Sequence, residues 1–420
     1  MNRLILYLVC QITGIISLFA QFASEPANDY KLRFGGYGEI LYQHLDYGPD
    51  RYNNPDGSQP DDRAIIGIPR IVFSFEYRFQ NGFELVSELE IEHGGTGSAL
   101  ELEYEEAGEY EMEIEKAGEV ALEQAFIRKI FSKHFQVKVG HIIVPVGRLN
   151  NYHLPVEYFG TIRPEGESQI IPTTWHETGI AINGDIKEWS YELQLINGLD
   201  ANGFSRANWV KGGYQKLFED IKATQMAGAF RLDNKSLPNT IISASGYYGK
   251  STKNTSKPEK MDGLDGAVSI ISGDFEFNNK RIISRGNVLY GHLSDSYEIG
   301  AVNQTLSKNI QYPRTPVAQN ALTYSVELGY DVMTHFRRSG KLIPFLRYEY
   351  YNSMEKTSNG VLADARFKRD VYTFGINYFL LPGIAIKADY STRLIDKGNY
   401  NTERILGLSL VYSTYFLINN

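Results

Sequence analysis

Charged residues in this sequence recur at even spacings: Arg347 and Glu349, Lys387 and Asp389, and the series Glu84, Glu88, Glu90 and Glu92. An even spacing places side chains on one face of a strand, because successive residues of a strand point to opposite sides. Opposite charges on one face can orient ions, dipoles and water, but they supply no nucleophile and no paired acid and base. Arg78, Lys138 and Arg285 fall on the same kind of face. A second group lies between residues 144 and 174, where Arg148, His153, Glu157, Tyr158, Arg163, Glu165 and Glu167 sit in a stretch without strand alternation. Such residues could line a constriction, or belong to a loop that merely packs on a wall. Two readings of the wall charges stay open. Either Arg285, Arg347 and Lys387 form a basic strip facing an acidic one, giving a transverse field, or the charges neutralise their neighbours and shape the water.

Catalytic chemistry finds little support. The histidines are His44, His93, His134, His141, His153, His176, His292 and His335, and none stands in a recognisable Ser or Asp context. No HExxH, GxSxG, phosphate-loop or Gly-rich dinucleotide pattern occurs, so no catalytic residue, cofactor site or metal motif is read from the chain. Cys10 is the single cysteine, which removes disulfides and thiolate metal sites from consideration. A membrane-barrel lipase or protease, and an adhesin or structural barrel with a blocked lumen, are the competing classes.

The elements that must carry these charges are strands. From Ile71 the apolar face reads Ile71, Phe73, Phe75, Tyr77, Phe79, and similar faces read Leu322, Tyr324, Val326, Leu328, Tyr330 and Tyr372, Phe374, Ile376, Tyr378. Each is about five side chains long, which matches a tilted strand of roughly 9 to 11 residues crossing the hydrocarbon layer. Sixteen such segments begin near residues 32, 66, 83, 118, 135, 176, 189, 224, 240, 266, 281, 321, 341, 369, 384 and 403. Alternate connections are short, as at Gln80-Asn81-Gly82 and Leu381-Pro382-Gly383, while the others are long and mostly polar. An even strand count with alternating short and long connections predicts an all-β fold: a transmembrane, antiparallel, up-and-down β-barrel of 16 strands. A soluble sandwich would bury its apolar faces and would not repeat tyrosine at their ends, as Tyr77, Tyr330, Tyr348, Tyr350, Tyr378, Tyr390 and Tyr412 do here.

The remaining composition agrees. Arg3 followed by the apolar stretch Leu4 to Ala20 has the layout of a secretory leader, so residues 1–23 are expected to be cleaved and 24–420 to form one barrel domain. Acidic residues number 50 against 42 basic, a formal charge of −8, which argues against nucleic-acid binding. With 29 Tyr, 22 Phe and a mean hydropathy of −0.31, the chain is aromatic without a second long apolar run, so it is no helical membrane protein. The acidic stretch from Glu101 to Glu119 also alternates and reads as a hairpin about Ala107-Gly108, with a solvated charged face, since no calcium-loop spacing occurs.

One block is more specific. Residues 137–186, VKVGHIIVPVGRLNNYHLPVEYFGTIRPEGESQIIPTTWHETGIAINGDI, closely resemble the phosphate-selective porin O and P family of bacterial outer-membrane porins. There a strand ending in Val-Pro-Val-Gly leads through an Asn, His and Pro segment to Arg-Pro and Ile-Pro-Thr-Thr-Trp. YELQLINGLDANG at 191–203 and LIPFLRYEYYN at 342–352 add to the match. The resemblance implies an outer-membrane location amid lipid and lipopolysaccharide, a homotrimer, and a third long loop folded inward. It implies a water-filled channel for diffusion of small hydrophilic solutes or ions, with anions such as phosphate raised by the family name. The ladder of inward arginines that phosphate selection looks to need is not evident, so the substrate is not carried over.

Overall fold

The computed structural model describes residues 30–49, 60–95, 101–103, 111–113, 118–215, 221–306, 315–335, 340–358 and 360–419. The leader expected at 1–23 and the turn expected at Ala107-Gly108 lie outside the described residues. Strands β1 (Tyr30–Pro49), β2 (Pro60–Gly67), β3 (Arg70–Arg78), β4 (Phe83–Glu92), β5 (Glu101–Glu103), β6 (Glu111–Glu113), β7 (Val120–Ser132), β8 (Phe135–Ile143), β9 (His176–Ile186) and β10 (Trp189–Asn197) come first. They are followed by β11 (Met226–Asn234), β12 (Thr240–Lys250), β13 (Ala267–Asn278), β14 (Ile282–Leu293), β15 (Asn320–Tyr330), β16 (Lys341–Lys356), β17 (Lys368–Leu381), β18 (Ile384–Ile395) and β19 (Asn401–Asn419). Two short helices, α1 (Glu165–Ile170) and α2 (Ser296–Thr305), lie in connections.

Strands β2 and β3 are one stave broken at Ile68-Pro69, where proline has no N–H to give the ladder; both pair with β1. With β5 and β6 set apart as a small hairpin, sixteen antiparallel staves remain, and β1 pairs with β19 from Tyr30↔Asn419 to Asp46↔Arg404 to close the cylinder. The sixteen-strand expectation therefore holds, with starts within a few residues of those read from alternation. Closure matters physically, since hydrocarbon offers no partner for an exposed sheet edge. The turn after β3 shows how the short connections are made: Asn81 (φ 59°) and Gly82 (φ 72°) take left-handed backbone, which Asn and Gly tolerate best.

Alternation sorts the two faces as expected. Outward go Phe73, Leu193, Ile271, Val326, Leu346, Phe374, Ile386 and Leu408, all exposed. Such a continuous apolar belt is a lipid-facing surface. Tyrosines bound it: Tyr324 stacks on Tyr350 at 5.0 Å, and Tyr348 meets Tyr372 at 5.1 Å. Inward go Arg78, Glu84, Glu88, Lys138, Arg285, Arg347, Glu349, Lys387 and Asp389, most of them buried.

The phase of β7 is set by a bulge. Glu88 pairs with Gln124 and Leu89 with Leu122, so Glu123 is the extra residue and turns inward beside Gln124. Replacing Leu346, which is 64% exposed on the belt, by arginine is expected to cost roughly 2 to 4 kcal/mol of barrel stability. Equilibrium unfolding in lipid vesicles measures it.

Candidate functional site

The connection from β8 to β9, residues 144–175, does not stay outside; it turns into the lumen because its ends are apolar and its neck is pinned. Val144, Val146, Ile170, Ile171 and Trp175 are almost fully buried. Gly147 (φ 78°) sits against the Glu167 carboxylate, where a Cβ would lie 2.2 Å from Oε1, so only glycine serves there. That carboxylate accepts the N–H groups of Arg148 (3.0 Å) and Leu149 (2.7 Å) and the Asn287 amide (2.8 Å). The Gly147 carbonyl accepts from Arg231, whose guanidinium is also bidentate with Asp274 at 2.9 and 3.0 Å.

Beyond the neck the loop is strapped to the wall. The Lys387 ammonium, 1% exposed, donates to the carbonyls of Pro155, Tyr158 (2.6 Å) and Gly160 (3.0 Å). Asp389 accepts the Thr161 N–H (2.5 Å) and hydroxyl (3.0 Å). Glu349 accepts the Gly166 N–H at 3.2 Å and pairs with Arg347 at 2.9 Å. Arg393 holds Glu165 at 2.7 Å, and Tyr351 donates to the same carboxylate at 2.8 Å. Three staves along the same wall from Lys387, Arg70 donates to the His153 carbonyl at 2.8 Å. The wall is cut back where the loop arrives: a Cβ on Gly407 would lie 2.2 Å from the Thr161 hydroxyl.

The charged residues singled out in the sequence do not act as one unit. Arg148 pairs with Glu276 at 2.5 Å, and Arg285 with Glu327 at 3.0 Å and Glu276 at 3.4 Å. Arg148, Glu157 and Arg285 line one small cavity together with Tyr152, Tyr158, Asn287 and Glu327. His153 and Arg163 lie apart from it: Arg163 donates to Thr174 at 3.1 Å, and His153 stands by the Arg70 wall. Arg78 belongs to a separate group near the short turns with Glu84 (3.0 Å) and Glu76, and Lys138 pairs with Glu192 at 3.0 Å. The basic residues Arg285, Arg347 and Lys387 are interleaved with carboxylates or loop carbonyls along their own strands.

Sequence reasoning missed three residues and one connection. Arg70 and Glu39, 3.6 Å apart, follow the same alternation and were legible. Glu123 was hidden by the bulge. The connection 198–215, which falls in one of the long stretches between strands, also enters: Phe204 and Trp209 are fully buried, and Trp209 lies where a Cβ on Gly291 would meet its ring at 2.1 Å. The signal was there in Leu199, Phe204, Trp209 and Val210, apolar residues that a solvated loop has no use for. With the first loop and wall residues Val86, Phe126, Ile196 and Leu289 they form an apolar cluster inside the cylinder.

Burial acts on the loop's own titrating groups. It pushes the His153 imidazole down to about 3, with the neighbouring Arg70 and Arg163 guanidiniums adding to the effect, so the ring is neutral. It pushes the Glu157 carboxyl up to about 8, against the opposing pull of the Leu154 N–H, Arg148 and Arg285.

Among known proteins, no family model matches. A relative from Aquifex aeolicus, described as an uncharacterized protein, is 28% identical over 362 residues, covering 85% of this chain and 74% of its own length. The barrel is similar to the outer membrane channel DcaP of Acinetobacter baumannii, at 12% identity with a TM-score of 0.53 over 93% of this chain and 100% of that one. It is likewise similar to a loop L8 deletion mutant of OmpT, an outer membrane protein of Vibrio cholerae, at 11% identity with a TM-score of 0.52 over 93% and 100%. The fold is that of these two bacterial outer-membrane proteins.

Two expectations follow. Lys387→Met strips three loop carbonyls of a charged donor, and hydrogen bonds to charged groups are worth about 1.5–3 kcal/mol each. Limited proteolysis of the folded barrel should then cut the 155–161 segment faster than in the wild type. Second, the raised Glu157 means that the docked loop holds a proton which the released loop gives up. Docking is therefore strongest below the ordinary value of 4.5 and weakens as pH rises through about 8. The same proteolysis followed across that window should accelerate with pH, and Glu157→Gln should flatten the Glu157 contribution.

Proposed function

We propose that this chain is an outer-membrane channel that lets small hydrophilic solutes or ions diffuse across, with loop 144–174 setting its narrowest section. The observation that carries the reading is the loop itself: charged wall residues of β11 and β13 on one side of the cylinder and of β3 and β18 on the other grip it. A blocked structural barrel would need no such placed hydrogen bonds, since apolar filling alone closes a lumen. The cavity beside the loop mixes Arg148 and Arg285 with Glu157 and Glu327 under two tyrosine rings. That balance favours dipolar or uncharged polar solutes over a single ion sign. Phosphate gains little support, because Arg148, Arg285 and Arg347 each already face a carboxylate. Assembly as a homotrimer, which the family resemblance implies, belongs to the same proposal.

Purified barrel inserted into planar bilayers should give discrete conductance steps, and deletion of residues 150–165 should raise the step size several-fold. Absence of steps from the wild type, or equal steps from both proteins, would contradict the reading.

A further inference from the structure

Where the loop meets the wall at β4 and β7, three potential ligands converge from distant parts of the chain. Glu88 comes from β4, Glu123 from the bulge in β7 and His153 from the loop, all buried, with one ligand atom of each within 4.8 Å of the other two. We propose that Glu88, Glu123 and His153 form a binding site for a divalent transition-metal cation of the Zn²⁺ kind, which clamps loop 144–174 to the β4–β7 wall. The site stands on geometry and does not depend on the channel reading.

Several observations point the same way. The bulge serves no pairing purpose, since it removes Glu123 from the ladder, yet it adds a third carboxylate to the patch already holding Glu88 and Glu90. Glu123, with no measurable exposure, receives the Tyr37 hydroxyl on Oε2 at 3.1 Å, while its other oxygen, Oε1, is buried with no hydrogen-bond donor against it. A buried carboxylate oxygen left so is costly, and a cation is one of the few things that removes the cost. Glu88 takes only a neutral donor among its described hydrogen bonds, the Gln124 amide. Of the guanidiniums acting on Glu123 and His153, Arg70 is directed to Glu39 at 3.6 Å, Glu90 at 3.8 Å and the His153 carbonyl, and Arg163 donates to Thr174 at 3.1 Å.

His153 is oriented for the task. Its Nδ1 lies 3.3 Å from the Asn150 carbonyl; donating there leaves Nε2 as the lone-pair nitrogen, the arrangement by which outer partners fix metal-binding imidazoles. The ring is neutral, as a ligand must be. Ligand bonds of about 2.0–2.2 Å require donors somewhat closer than they stand, which small side-chain rotations achieve. One imidazole with two carboxylates selects Zn²⁺, Co²⁺ or Mn²⁺ over Ca²⁺ and Mg²⁺, which take oxygen ligands. No spacing motif could have shown this, because the three residues belong to three separate elements.

The test uses the whole folded barrel in detergent, stripped with a chelator and titrated with Co²⁺, with folding checked by heat-modifiable gel mobility. The expected result is one tightly bound Co²⁺ per chain with a visible absorption band, displaced by Zn²⁺ and not by Mg²⁺. Glu123→Gln and His153→Gln should each weaken it at least about tenfold while leaving the barrel folded. Glu88→Gln provides a third isosteric variant should either of those fail to fold. Absence of a saturable Co²⁺ band, or a band of equal affinity in the folded variants, overturns the site.

Discussion

Charge buried inside a cylinder has to be answered by something, and that requirement organises the interior of this protein. The outer face of each strand is committed to apolar residues, so every polar residue of a stave is driven inward by alternation. Once loop 144–174 covers them, Lys387, Asp389, Arg347 and Glu349 lose most of their water. Removing one partner from such a buried set costs far more than the set contributes as a whole. The straps therefore act chiefly by fixing where the loop lies. A loop held by apolar packing alone could slide; one whose carbonyls converge on a single ammonium, and whose Thr161 N–H meets a single carboxylate, has one seat.

The same logic separates the two inward connections. Loop 144–174 is polar where it crosses between the walls and apolar at its ends, so it can be fixed in place by charge while it borders a polar cavity. The 198–215 connection brings Phe204, Trp209 and Val210 into a cluster with the wall. One loop borders the polar cavity and the other fills volume beside it.

How much of this could be read from the residues differs by level. The staves were legible because period-two alternation is imposed by lipid on one side and water or polar loops on the other, and a one-residue slip would put Arg347 or Lys387 in hydrocarbon. The inward phase of Arg78, Lys138, Arg285 and Asp389 came from the same rule. What alternation could not give was partnership. Lys387 and Asp389, two apart on one face, invited the reading of a neutralising pair, yet each turns to loop backbone instead. The β7 bulge broke the period at Glu123 and hid a residue that geometry places beside His153. Contacts between elements distant in sequence lie beyond any local pattern.

The account rests on loop 144–174 being seated against the wall at β19, where Thr161 reaches Gly407 so closely that a Cβ on the glycine would stand 3.0 Å from the threonine Cβ. That separation is near the roughly 3.5–4.5 Å of a disulfide. A Thr161→Cys, Gly407→Cys protein, made with Cys10→Ser so that no other thiol is present, measures the seat directly. Mild oxidation of the folded barrel should close the cross-link almost completely, seen as a mobility shift reversed by reductant. Two thiols that stay free in a folded barrel would show that the loop lies elsewhere and would contradict the account.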